Sequence, residues 1–291
     1  MSRDTTSALR SIGQVDRQKF GQVELEYWLL PGGLDTIVFI HGNSAGKEVF
    51  FRQFEDLADS GYSLLALDLP GHGGSDDATN PEADYNFPAL ALTVYHLLDA
   101  LDIKRALICG WSLGGHIAIE MAGRGWDLAG LMIFGTPPLG PGLADFERAF
   151  NPSPAMSVTM KADRTPEDVA IYVAGLYGRM DPIPDAFWNL ARRVDDQCGA
   201  CVGAHWSSGL QGCHQRTVVQ GWDGPLCLLH GVEDAFVNEA YLKSLKTERL
   251  WRGDIITFDC AGHAPFLEAS AEFNQTLKEF AGHVFATSSR T

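Results

Sequence analysis

Short apolar runs alternate with longer amphipathic stretches through the first 135 residues, and again after about residue 224. Thr36–Ile40 (TIVFI), Ser63–Leu67 (SLLAL), Ala106–Cys109 (ALIC), Leu131–Phe134 (LMIF) and Leu226–Leu229 (LCLL) are too short for helices. Their unbroken apolar character is that of strands covered on both faces. Ile255–Phe258 (IITF) closes the set, and helices are expected near 47–60, 86–101, 112–123, 238–247 and 269–285. Strand and helix in alternation imply a mostly parallel central sheet flanked by helices, the α/β class. Gln22–Leu30 alternates as an antiparallel edge strand does. Residues 1–18 and the closing SSRT are expected to fray.

From about Leu139 to Trp222 the strand pattern disappears, and prolines, methionines and aromatics gather. That stretch is too long for a plain loop. It predicts a mostly helical cap over 139–222, inserted between residues 19–138 and 223–287 of one α/β core.

Composition narrows the classes of function. The net charge is −15, with 37 acidic residues against 22 basic ones, which disfavours nucleic acid and anionic membranes as partners. No apolar run approaches the ~20 residues of a membrane-spanning helix. The polar start MSRDTTSALRSIG lacks the apolar core of a signal peptide, so a cytoplasmic location is expected. Six cysteines are too few to build a scaffold of 291 residues, and Cys109 and Cys227 sit in apolar runs as small hydrophobes. Cys198, Cys201 and His205 have zinc-like spacing and share a face if helical. They fall in the cap, however, and the chemistry read below needs no metal, so neither metal nor cofactor is expected. The sequence leaves the oligomeric state open.

The candidate chemistry lies in Leu107–Glu120, LICGWSLGGHIAIE. An apolar strand runs into Gly110-Trp111-Ser112-Leu113-Gly114 and a helix follows at once, which is G-x-S-x-G in its strand–turn–helix context. Small neighbours let strand and helix close around a serine on a strained turn. The same turn aims the Leu113 amide, at a helix N-terminus, toward developing negative charge. A second donor is expected from the loop after TIVFI, His41-Gly42-Asn43-Ser44, through the amide of Asn43 or of Ser44. His41 and His72 read as structural histidines of their turns. The chain order serine, acid, histidine puts the base after the last strand, where His263 sits among small residues in CAGHAPF. The acid should follow LCLLH, where Glu233 and Asp234 are both available and register favours Asp234. Together these predict a Ser112–His263–Asp234 triad working through an acyl-enzyme.

The segments HGNSAGKEVF, DLPGHGGSDDA, CGWSLGGHIAIEM, GLMIFGTPP and AGHAPFLEASAEF resemble the N-acyl-homoserine lactonases of the α/β-hydrolase fold, from about residue 22 to 280. The resemblance implies that fold with its inserted helical cap, and opening of a homoserine lactone ring by a metal-free serine mechanism. It places the nucleophile on Ser112, the base on His263, the oxyanion donors on Asn43 and Leu113, and the acid on Asp234. The family's lactonases carry glutamate at that last position. A cap tyrosine that helps hold the lactone matches Tyr172. The residues themselves point to a small-molecule acyl substrate, because Phe146, Phe150, Met156, Met160, Tyr177, Met180, Phe187, Trp188 and Trp206 give the cap an apolar, adaptable lining. Phe146, Met156 and Trp188 are the expected substrate contacts among them. The same triad also serves carboxylesterases, amide-cleaving acylases and perhydrolases, and the scaffold can serve as a non-catalytic receptor.

Overall fold

The computed structural model describes residues 14–140, 142–207, 212–247 and 249–287. Its strands are β1 (Gln14–Phe20), β2 (Val23–Leu30), β3 (Asp35–Ile40), β4 (Ser63–Leu67), β5 (Arg105–Trp111), β6 (Gly130–Phe134), β7 (Leu226–Gly231) and β8 (Ile256–Phe258). They form one sheet in the order β1-β2-β4-β3-β5-β6-β7-β8, parallel from β4 to β8.

The first strand corrects two expectations. β2 is antiparallel, as its alternation predicts, but it pairs with β4 on one side and β1 on the other and is not the edge. β1 covers it in full register, Gln14 opposite Leu29 through to Phe20 opposite Val23, within a stretch expected to fray. Its sequence QVDRQKF is mostly exposed, so it carries too few apolar positions to announce a strand. The expected fraying of residues 1–13 and of SSRT lies outside the described residues.

The helices follow the amphipathic stretches. α1 (Phe51–Leu57) comes after a single turn at Lys47–Phe50, and α2 (Phe87–Ala100) starts where the Asn86 side chain accepts from the Ala89 amide at 2.9 Å. α3 (Leu113–Gly123) follows β5 directly and buries nearly every residue between the sheet and α2. Between β6 and β7 lie α4 (Leu143–Ala149), α5 (Pro154–Val158), α6 (Pro166–Tyr177), α7 (Asp185–Arg193), α8 (Asp196–Ser207) and α9 (Gln215–Gly221). α10 (Glu239–Lys243) and α11 (Ser270–Thr287) complete the chain. Among the described residues no helix is long and apolar enough to cross a membrane.

β3 is the point where the order of strand addition reverses, with β4 on one side and β5 on the other. Open α/β sheets bind their ligands beyond the carboxyl ends of the strands at such a point. Ile40 stands opposite Gly110 there, so the loops after β3 and β5 emerge side by side.

Candidate active site

Ser112 adopts φ 53° and ψ −116°, a left-handed backbone that costs a serine roughly 1–3 kcal/mol. Its surroundings hold it there. The Ser112 amide donates to the Phe134 carbonyl at 2.9 Å, and its carbonyl accepts from the Gly115 amide at 2.9 Å and Thr136 Oγ1 at 2.8 Å. The flanking glycines are sterically required. A Cβ on Gly110 would lie 2.5 Å from the Gly114 carbonyl oxygen, and one on Gly114 would lie 2.1 Å from that of Ile40. Leu113 contributes the first amide of α3, which has no acceptor within the helix.

The loop after β3 closes on the serine from the other side, since a Cβ on Gly42 would stand 3.0 Å from the Ser112 Cβ. Asn43, and not Ser44, lines the cavity above the serine. This loop is anchored by Lys47, whose ammonium is almost wholly buried between Glu26 (2.7 Å), Glu48 (2.9 Å) and Asp68 (2.7 Å). Burial alone would lower the Lys47 pKa, but the carboxylates outweigh it and raise it. The Lys47 amide donates to Asp68 as well, at 2.6 Å. His41 and His72 have structural partners: His41 Nδ1 meets the Gly42 carbonyl at 2.7 Å and Nε2 accepts from the Leu69 amide at 3.0 Å, while His72 Nδ1 meets the Pro70 carbonyl at 3.0 Å.

His263 is buried beside Asp234, with Nδ1 2.9 Å and 2.8 Å from the two carboxylate oxygens. Asp234 Oδ1 also accepts the amides of Phe236 (2.7 Å) and Val237 (3.1 Å). Burial by itself would raise the Asp234 carboxyl, but His263 and these amides hold it below the ordinary carboxylate range. Glu233, the other acid in this loop, is exposed and pairs with Arg179 at 2.8 Å. The His263 carbonyl accepts from Trp111 Nε1 at 2.8 Å, tying the histidine to the strand that carries the serine. Nothing in the apolar periodicity points to Asn151. Its side-chain amide donates to the carbonyls of Asp234 (3.1 Å) and Val237 (2.9 Å), and its own amide donates to the Phe236 carbonyl at 2.6 Å. Phe150 also makes an isolated antiparallel bridge to Val237, so the cap and the acid loop are joined.

Ser112 and His263 meet at an apolar cavity under the cap. Of the expected contacts, Asn43, Leu113, Met156 and Tyr172 line it. Burial pushes the Tyr172 phenol up to about 12, so it remains a donor, and Asn43 and Thr159 flank its hydroxyl. Phe146 lines a neighbouring cavity that shares Met160 and Trp206 with the first. Trp188 lines neither: it is half-buried on α7 beneath the Arg192 guanidinium, 5.7 Å from its ring centre, while Phe187 and Leu190 supply the buried face of that helix. Phe236 and His116, absent from the expected set, both line the cavity. Phe236 packs against His263 with ring centroids 4.5 Å apart and planes tilted by 49°. Neither stands out in the sequence, because one follows the acid and the other looks like a core residue of α3.

Cys198, Cys201 and His205 do not converge as ligands: Cys198 is buried, and His205 Nε2 lies 2.9 Å from the Glu82 carbonyl. Among the described residues the one group with metal-ligand spacing is Glu26, Glu48 and Asp68, which already surrounds the Lys47 ammonium. All six cysteines are free thiols.

A strained serine between strand and helix, a paired histidine and aspartate, and two loops at the switch point define a hydrolase of the α/β type. Residues 37–276 match the model of the alpha/beta hydrolase family, and the chain belongs to that family. It is similar to the N-acyl homoserine lactonase AidH. A variant of that enzyme complexed with N-hexanoyl homoserine lactone superposes with a TM-score of 0.88 at 30% identity, over 93% of this chain and 98% of that one. AidH complexed with N-butanoyl homoserine gives the same score at 31% identity. A pimeloyl-[acyl-carrier protein] methyl ester esterase of Aromatoleum aromaticum is 31% identical over 248 residues, 79% of this chain and 92% of its own.

Proposed function

We propose that the protein opens the lactone ring of N-acyl-homoserine lactones, with Ser112 as nucleophile, His263 as base and Asp234 as the acid that orients it. The observation that carries this reading is the convergence of Ser112 and the His263–Asp234 pair on one apolar cavity, in a chain similar to AidH over nearly its whole length. Ser112 Oγ attacks the lactone carbonyl while His263 Nε2 takes its proton. The amides of Asn43 and Leu113 receive the oxyanion, each worth about 3 kcal/mol in the transition state. Collapse breaks the ring C–O bond, and His263 returns the proton to the departing alkoxide, leaving an acyl-enzyme with a free hydroxyl. Water, deprotonated by His263, releases N-acyl-homoserine. Tyr172 donates to the lactone from the cap, Met156 contacts the acyl chain, and Phe146 meets only the longest chains through the neighbouring cavity.

Similarity to the methyl ester esterase supports a second reading, hydrolysis of simple carboxylic esters by the same groups. Mass spectrometry of N-acyl-homoserine lactones incubated with wild type and Ser112→Ala separates the two. The lactone reading expects a product heavier by one water and a loss on the order of 10⁶ in turnover for the variant. Hydrolysis of aryl esters with every lactone left intact would reject it, and free homoserine lactone plus a fatty acid would indicate amide cleavage instead.

A further inference from the structure

The cavity above Ser112 has a neighbour. A second, outer cavity, bounded by Leu139, Leu143, Phe146 and Gly203, lies against it, and the two share Met160 and Trp206 as a common wall. The inner cavity holds the polar groups that a reacting ester needs. Asn43 and Thr159 flank the Tyr172 hydroxyl there, and the loop of Asn43 closes on Ser112. Among the described residues the outer cavity is lined by apolar side chains and glycines alone, and Leu143, 58% exposed, brings its lining to the surface.

The two wall residues differ in their freedom to move. The Trp206 ring meets four others edge-on, with centroids 5.2 Å from Phe87, 5.0 Å from His116, 5.3 Å from Phe146 and 5.8 Å from Phe150. It cannot turn without displacing them. Met160 is only part-buried, and its side chain is unbranched and adaptable. Its place is set by α8, where Gly199, Val202, Gly203 and Trp206 share one face. A Cβ on Gly199 would stand 2.8 Å from the Thr159 carbonyl oxygen. One on Gly203 would stand 2.7 Å from Met160 Sδ and 2.8 Å from its Cβ and Cγ. Glycine at 203 is therefore what leaves room for Met160 where it lies.

We propose that Met160 is a movable partition that sets acyl-chain selectivity, and that the outer cavity is a second subsite for the distal part of a long acyl tail. Short chains end against Met160. Longer chains turn its thioether aside and run on between Phe146 and Leu143. The inference rests on the acyl-substrate reading above. Turning Met160 is a single cost, whereas each methylene then buried returns up to about fourfold in affinity. The dependence on chain length should accordingly have a step: a rise as the inner cavity fills, a pause at Met160, and a second rise beyond it.

The test measures kcat/KM for N-acyl-homoserine lactones from butanoyl to tetradecanoyl, and for the p-nitrophenyl esters of the same acids. Met160→Ala joins the two cavities, so the pause should vanish. Gly203→Ala drives Met160 across the passage. Its second rise should be lost, by on the order of 10-fold for the tetradecanoyl chain. The butanoyl substrate should be nearly unchanged, which also shows that the variant is folded. Should Gly203→Ala not fold, Leu143→Trp, which narrows the outer cavity from its exposed rim, should remove the same second rise. A chain-length profile of the same shape in wild type and in these variants would overturn the partition while leaving lactone opening intact. If no lactone is opened but the ester series shows the step and the variants move it, the lactone reading falls and the partition stands.

Discussion

Asp234 makes four hydrogen-bonding contacts to three donors, and they serve two tasks. Oδ1 is held by the amides of Phe236 and Val237, and both oxygens lie within 2.9 Å of His263 Nδ1. Asp234→Asn retains the acceptor for the two amides but presents an N–H to Nδ1. The imidazole must then carry its proton on Nε2, where it cannot take one from Ser112. A fall of about 10⁴ in kcat with unchanged folding is expected, read by steady-state kinetics beside circular dichroism. Glu233→Gln should leave kcat within about twofold, because an exposed ion pair such as that with Arg179 contributes little. Loss of activity in Glu233→Gln instead would move the acid by one residue. The choice between these neighbours was legible in the sequence only as register after β7. In the structure the loop turns Asp234 inward onto two amides and leaves Glu233 in solvent, and no apolar period encodes such a turn.

At the scale of elements, the parallel strands were legible because burial on both faces demands continuous apolar runs, as in β3, β5 and β6. β1 was not, since an edge strand satisfies its backbone by pairing while its side chains stay wet. The cap was legible as helical but not in its contacts. Its aromatics face three ways: into the cavity (Phe150, Trp206), into the cap's own packing (Phe187) and toward solvent beneath an arginine (Trp188). Composition cannot distinguish these. The link between cap and core at Asn151 was equally silent, because its partners are carbonyls of a loop more than eighty residues further along the chain. Asn151→Ala removes two hydrogen bonds and leaves the Asp234 and Val237 carbonyls without those donors. A loss of about 1–3 kcal/mol in urea unfolding is expected. Because the acid loop loosens with it, kcat should fall while KM for short chains changes less. A drop in stability with kcat unaffected would confine Asn151 to holding the cap in place.

Across the whole molecule, four buried histidines with lowered pKa values couple stability to pH, His230 less than the other three. His41, His72 and His116 occupy the β3 loop, the turn after β4 and the first turn of α3, so they surround the serine. Burial lowers their pKa values to about 4, 3 and 4, against 6.5 for an unburied histidine. Each folded-state value lies below the unfolded one, so the native protein favours the neutral rings. Their contribution is fully present above about pH 6.5 and is lost as the pH falls through the window toward 4. Within it the unfolded chain takes up protons that the native state refuses, at up to about 1.4 kcal/mol per pH unit for each ring. Protonation also breaks a specific bond, because His41 Nε2 accepts from the Leu69 amide and cannot do so when charged. Urea unfolding at pH 7.5, 6.5, 5.5 and 4.5 should therefore show little change over the first step and a steep fall over the next two. The steepness should correspond to two or three protons taken up on unfolding. His116→Gln should reduce it by about one. A profile flat from pH 6.5 to 4.5 would mean that these rings take up protons in the folded protein as readily as in the unfolded chain.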